Sequence, residues 1–337
     1  MMRYLISIFL LIPFVFLHAD KVSNSKILIC GVGKNVERGF NNVKTSALAL
    51  GSHFLDYRVI VYENNSQDKT KILYHNWSQE NPKVVFLSEN LSQDFINRYV
   101  VKIGDFRTQL IARARNKVLE EARKDKYADY DILIMADLDE FEPWDIKEII
   151  NTIENPEHEW DAVFSNGSYD TYPLRGPEFC LGPEFLSHMK WISYGNRAYG
   201  RHLRSLINLG NWIKMESAFG GLAIYKLQAI LSSEYQGVVD PYVIQKELDR
   251  ELDLDILLKQ KPELLEIVNA SRNMYRECIK KEVWTKGDLE QILSINRFTS
   301  IYRCEHISLH QKMIENGFDR LYLNPHLKSV NKHLGNF

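Results

Sequence analysis

From Lys26 to Ser168 the chain alternates short apolar runs with amphipathic stretches of helical length, and this alternation decides the fold class. "KILICG", "YRVIVYENNS", "KVVFLSE", "DILIMADLDEF" and "WDAVFSNGS" read as strands. Between them, "VERGFNNVKTSALALGSHF", "SQDKTKILYHNWSQ", "RTQLIARARNKVLEEARKDK" and "WDIKEIINTIE" carry apolar residues at helical spacing. Strands separated by helices of this length predict βαβ units and a mostly parallel sheet flanked by helices, a Rossmann-like α/β fold. In such sheets ligands bind at the carboxyl ends of the strands. Polar clusters fall at three of those ends: "GVGKN", "ENNSQD" and "DLDE".

Past residue 165 the pattern loosens. "YDTYPLRGPEF" reads as a loop or lid, and "ESAFGGLAIYK" as a turn followed by a strand. Residues 238–300 are charged and helix-patterned and are expected to form a helical insertion. The expected organisation is therefore a core over residues 21–237, the insertion over 238–300 and a C-terminal segment over 301–337. Residues 1–20 stand apart: Arg3 precedes an apolar run from Tyr4 to Leu17, with Ala19 behind it. That run is shorter than the ~20 residues of a spanning helix and has the length of a signal-peptide core. An uncleaved membrane anchor is the alternative. Export or membrane association through this segment is the expectation, in a Golgi-type lumen in a eukaryote and as an anchored enzyme in a bacterium.

With 42 basic and 44 acidic residues the chain lacks the basic excess of a nucleic-acid binder, so no nucleic-acid partner is expected. Cys30, Cys180, Cys278 and Cys304 are far apart and show no zinc spacing.

The strand "ILIMADLDEF" runs apolar residues straight into Asp137 and Asp139. Residues two apart on a strand point to the same side, so both carboxylates can converge on one ligand. Three chemistries fit such a pair. A phosphotransferase of the DxDx[TV] type is disfavoured because Phe141 occupies the last position. Capping of the following helix or turn is the structural alternative. The third is a divalent-ion site, Mn²⁺ or Mg²⁺, for a nucleoside diphosphate, since such ions take hard oxygen ligands from one or two carboxylates.

The order of segments "ICGVGKN", "VYENNSQDKT", "RARNKVL" and "ILIMADLDEF" resembles the GT-A-fold glycosyltransferases with a DxD motif. More narrowly, "YENNSQDKT", "SAFGGLAIYK" and "CEHISLHQKMIENGFDRLYLNP" are similar to the fungal capsule-associated mannosyltransferases and their bacterial and viral relatives. The likeness spans about residues 26–235 and 301–326; the stretch between is unmatched.

The resemblance implies transfer of a sugar from a nucleotide-diphosphate donor, a UDP- or GDP-sugar, to a glycan or glycoprotein acceptor. It implies nucleoside contacts from the first turn at Gly31 and from Glu63, and donor contact from Asp137. It implies a metal site of Asp137, Asp139 and His306. Arg115, followed by Asn116 in "RARN", is a candidate for the diphosphate, Arg113 being the other arginine of that motif. Gly220 and Gly221 permit close backbone approach to a sugar. Glu140 is either a supporting acceptor or a solvent-facing neighbour. For a base on the acceptor hydroxyl, Asp170 is the first candidate, with Glu216 and Glu305 beside it. Tyr169, Tyr172 and Trp212 are candidates for stacking on sugar rings. Two other classes remain: a non-catalytic carbohydrate-binding protein on the same fold, and a sugar nucleotidyltransferase, which lacks its glycine-rich phosphate loop here.

Overall fold

The computed structural model describes residues 21–99, 107–139, 142–167, 173–176, 206–237 and 304–329. The predicted insertion over 238–300, the N-terminal segment and the 169–172 stretch lie outside the described residues.

Eight strands form one sheet in the order β3-β2-β1-β4-β7-β5-β8-β6. They are β1 (Lys26–Gly33), β2 (Asp56–Asn64), β3 (Val84–Glu89), β4 (Ile132–Asp137), β5 (Ala162–Ser165), β6 (Ile213–Lys214), β7 (Leu222–Lys226) and β8 (Leu321–Asn324). β1 pairs in parallel with β2 and β4, and β2 with β3. β7 runs antiparallel between β4 and β5, β8 runs parallel to β5, and β6 closes the far edge antiparallel to β8. The mostly parallel α/β sheet expected from the alternation is therefore present.

The strands are apolar on both faces because both faces are covered. Leu28, Cys30, Ile60, Leu133, Met135, Phe164 and Tyr225 look to one side. There they meet α4 (Arg107–Ala122), α6 (Leu227–Leu231) and α7 (Glu305–Glu315) through Val118, Leu119, Ile230, Leu309 and Met313. Ile27, Ile29, Val59, Val61, Ile134, Val163 and Ile224 look to the other. They pack on α1 (Phe40–Gly51), α2 (Thr70–Glu80) and α5 (Ile146–Glu154) through Val43, Leu50, Tyr74, Trp77 and Ile149. Asp145 caps α5, its side chain accepting from the Glu148 N–H at 3.0 Å. A short helix, α3 (Gln93–Tyr99), follows β3 where no helix was expected, with Ser92 Oγ accepting the Phe95 N–H at 3.1 Å.

Two features of the second half differ from a simple βαβ series. The chain reverses at Gly220 and Gly221, with φ of +66° and +95°, so β7 enters the sheet antiparallel. A Cβ on Gly220 would lie 2.2 Å from the Ser165 carbonyl oxygen and 2.7 Å from Gly167 N, because this turn is pressed against the end of β5. The buried Ser165 hydroxyl donates to Gly220 O at 2.8 Å and accepts from Leu222 N at 3.2 Å. The second feature is the return of the C-terminal segment into the sheet as β8. Its entry is pinned where Arg320 donates to buried Asp161 through Nε at 3.0 Å, Nη2 at 2.8 Å and its backbone N–H at 3.1 Å. Burial alone would raise the Asp161 carboxyl, but Arg320 and Lys226 outweigh it and hold the group below its ordinary value.

Gly220→Ala adds both a left-handed alanine and a backbone clash, whereas Gly317, with φ +88° and open space around it, adds only the first. Gly317→Ala is expected to cost about 1–2 kcal/mol, and Gly220→Ala at least about 2 kcal/mol more. Urea unfolding of both variants checks the difference; equal costs would refute the close packing of this turn.

Candidate functional site

After β1 the chain builds β2 and β3 on one side and then returns to place β4 on the other. The carboxyl ends of β1 and β4 therefore flank a topological switch point, where sheets of this kind open a crevice. In register, Val32 lies opposite Asp137, and Gly33 opposite Glu63 of β2.

Leu138, between the two aspartates, is 3% exposed. A Cβ on Gly31 would sit 2.3 Å from Leu138 Cδ2, and one on Gly33 3.1 Å from Leu138 Cβ. The missing side chains of the first turn are thus the socket that takes Leu138. With Leu138 driven inward, Asp137 and Asp139 stay part-exposed at the edge, and Asp137 N–H donates to Gly221 O at 2.9 Å.

The loops after β1, β2 and β3 are stitched into one wall. Asn35 N–H donates to Ser66 Oγ at 3.1 Å, and Gln67 N–H to Asn35 Oδ1 at 2.8 Å. Glu37 N–H donates to Asp68 Oδ2 and Lys69 N–H to Glu37 Oε2, both at 3.1 Å, while Val36 N–H reaches Thr70 Oγ1 at 2.8 Å. Asn65 bonds both backbone groups of Leu91, accepting its N–H at 3.0 Å and donating to its carbonyl at 2.8 Å. Buried Glu63 sits inside this wall. It accepts the Ser66 N–H at 3.2 Å and the Ser88 hydroxyl, with Lys71 Nζ at 3.8 Å. At 1% exposure Glu63 braces this wall from within.

Behind the acidic strand end lies a buried polar cluster. Arg115 of α4 is 3% exposed. It donates through Nη2 to Asp137 Oδ1 at 3.0 Å and through Nε to Glu305 Oε1 at 3.2 Å. Its guanidinium carbon lies 4.6 Å from the Phe219 ring centre and 5.8 Å from that of Tyr235. Burial works against its charge, but Asp137 and Glu305 raise its affinity for the proton above the ordinary arginine value. Burial raises the Glu305 carboxyl, with Arg115 opposing in part.

His306 stacks on Phe219 at 3.9 Å and is held neutral, first by burial and then by Arg115 and His310. Neither of its ring nitrogens, nor Arg115 Nη1, has a hydrogen-bond partner among the described residues. His310, one turn on, is satisfied: Nδ1 is 2.9 Å from Ser217 Oγ and Nε2 2.9 Å from Tyr225 Oη. Burial pushes its pKa down to about 3.

The expected residues are distributed as follows. Arg115 is spent on two carboxylates and is closed off from solvent. The Asn116 amide brackets the Tyr235 backbone, donating to its carbonyl at 2.9 Å and accepting its N–H at 2.8 Å. Gly220 and Gly221 form the turn against β5 and β4. Glu216 is part-exposed, on a segment bridged to Arg175 through its backbone N–H at 2.8 Å. Trp212 stacks on His158 at 4.8 Å, near Tyr322, beside the edge strand. Glu140, Tyr169, Asp170 and Tyr172 lie outside the described residues. Among the described residues no group of three or more His, Cys, Asp and Glu side chains converges to hold a metal. Asp137 and Asp139 do offer hard oxygen donors, which fits a divalent ion completed by phosphate oxygens and water. Pairing of Glu305 with Arg115 went unforeseen; the nearest signal was the acid beside His306. Among the described residues no helix is long and apolar enough to cross a membrane.

No family model and no curated protein matches the chain. Among solved structures it is similar to the mannosyltransferase PcManGT from Pyrobaculum calidifontis in complex with GDP-Man and Mn²⁺. That match has 14% identity, a TM-score of 0.37, and covers 68% of this chain and 55% of the other. It is also similar to glucosyl-3-phosphoglycerate synthase from Mycobacterium tuberculosis in complex with UDP, at 16% identity and TM-score 0.34, over 62% and 59% of the two chains. A third is S. aureus TarS 1-349, at 12% identity and TM-score 0.34, over 66% and 55%. The chain thus spans little more than half the length of each of these structures. At these TM-scores the likenesses carry no argument about function.

The neutral histidines set an acid limit. Unfolded His310 takes up a proton near pH 6.5, and the folded protein resists until about 3. Stability from this group is thus complete above about pH 6.5 and falls by about 1.4 kcal/mol per pH unit below it. His306 acts in the same direction. Urea midpoints between pH 7.5 and 5 are expected to drop; a flat profile would contradict the burial of these rings.

Proposed function

We propose that the chain is a nucleotide-sugar-dependent glycosyltransferase of the GT-A type that uses a divalent ion. The observation that carries the reading is the seating of Leu138 in the glycine socket of β1, which sets Asp137 and Asp139 at the switch point of the sheet. The motif order described above supports the same reading independently of the geometry.

In this reading Asp137 and Asp139 would hold Mn²⁺ or Mg²⁺ for the diphosphate of a UDP- or GDP-sugar. The ion, when bound, supplies positive charge against the departing diphosphate, a contribution of about several kcal/mol. The chain's own groups do the rest. The stitched wall of Asn35, Glu63 and Ser66 gives the nucleoside a rigid flank, and rigid positioning lowers the barrier without further reorganisation. A carboxylate, Asp170 or Glu216, takes the proton from the acceptor hydroxyl of a glycan or glycoprotein. The N-terminal segment directs export or anchors the enzyme to a membrane.

Incubation of the purified protein with UDP- and GDP-sugars, with and without Mn²⁺, is expected to release nucleoside diphosphate only with the ion. Asp139→Asn is expected to lower that release at least about 100-fold, since each ~1.4 kcal/mol is a tenfold rate change. Binding of glycans without turnover of any donor would replace this reading with a carbohydrate-binding protein.

A further inference from the structure

Arg115 is the group that the proposed chemistry leaves without work. A diphosphate ligand must reach solvent, and Arg115 does not: it is 3% exposed and covered by Phe219 and Tyr235. A solvated helix face is excluded by the same burial. What the guanidinium does is join two carboxylates 168 residues apart (305 − 137), Asp137 at the end of β4 and Glu305 in the first turn of α7.

We propose that Arg115 is a positioning residue through which the seating of α7 sets the acidic end of β4: Glu305 orients the guanidinium, and the guanidinium fixes Asp137. This rests on the reading of Asp137 and Asp139 as divalent-ion ligands. The physical case has two parts. The planar guanidinium gives one N–H to each carboxylate, Nη2 to Asp137 and Nε to Glu305, so a plane held by Glu305 sets the direction from which Asp137 is bonded. Glu305 also shares the positive charge. Replaced by a neutral side chain, it would leave the whole guanidinium charge on Asp137, and a dication approaching that carboxylate would meet a cation already paired with it. His306 belongs to the same arrangement, since it follows Glu305 and stacks on the ring that covers Arg115.

The test is Mn²⁺ binding in the presence of GDP or UDP, followed by electron paramagnetic resonance on wild type, Glu305→Gln and Asp139→Asn. Glu305→Gln keeps the shape of the side chain and is expected to weaken Mn²⁺ binding about 10- to 100-fold, as loss of groups supporting metal ligands does, in a protein that stays folded but with a lower urea midpoint than wild type. A second measurement uses wild type alone: Mn²⁺ with nucleoside diphosphate is expected to slow amide hydrogen exchange across Glu305–Glu315. Wild-type Mn²⁺ affinity in Glu305→Gln, with affinity lost in Asp139→Asn, overturns the coupling and leaves the divalent-ion reading standing. Unchanged affinity in Asp139→Asn overturns both. Should Glu305→Gln fail to fold, unchanged exchange in wild-type α7 on ligand addition overturns the coupling.

Discussion

A guanidinium removed from water has to be neutralised where it lies, and Arg115 is neutralised from two directions at once. Desolvating such a charge costs about several kcal/mol, and only well-directed partners offset it. That demand fixes three elements against each other. α4 supplies the cation, β4 supplies one carboxylate and α7 supplies the other. The apolar packing beneath would tolerate small slides of a helix along the sheet. The ion cluster does not, because its hydrogen bonds are directional.

The second constraint is steric. Leu138 needs a hollow, and the glycines of β1 provide it. One apolar side chain thereby decides where two charged ones emerge. The turn at Gly220 does similar work on the neighbouring side, where Gly221 O receives the Asp137 N–H and ties the acidic strand end to β7. The acidic edge is held from below by Leu138, from behind by Arg115 and laterally by β7.

Local periodicity made the first half of the fold legible. β1 to β4 and the helices α1, α2, α4 and α5 each carry enough residues to register, and β5, though only four residues long, stood out as a short apolar run between α5 and a polar turn. Other short elements escaped. β8 has four residues and β6 two, and α3 is a seven-residue helix that opens on Ser92. The direction of β7 was also hidden, since an apolar run such as "LAIYK" reads the same whichever way it enters a sheet. At the site, the acidic motif at the end of β4 was legible, although the strand stops at Asp137 and Asp139 lies in the turn beyond it. The partner of Arg115 was not. Glu305 is 190 residues away, and a contact of that span leaves no trace in spacing. Gly31 was expected at the nucleoside, and its packing role was hidden because Leu138 lies in the turn after β4.

The last consequence concerns the order in which the chain is made. β8 pairs with β5 across a separation of 159 residues, Ala162 against Leu321, and α7 precedes it directly. A nascent chain that has emerged through β7 holds both aspartates and their glycine socket, yet its central cation faces a gap where Glu305 belongs. Long-range pairings of this kind form slowly because a large loop must close before any contact is made. The half-finished sheet therefore exposes the edge of β5 during synthesis, an invitation to wrong partners. The sheet closes only when α7 docks and β8 fills that edge, so a product terminated before them keeps an open strand edge and an under-neutralised Arg115.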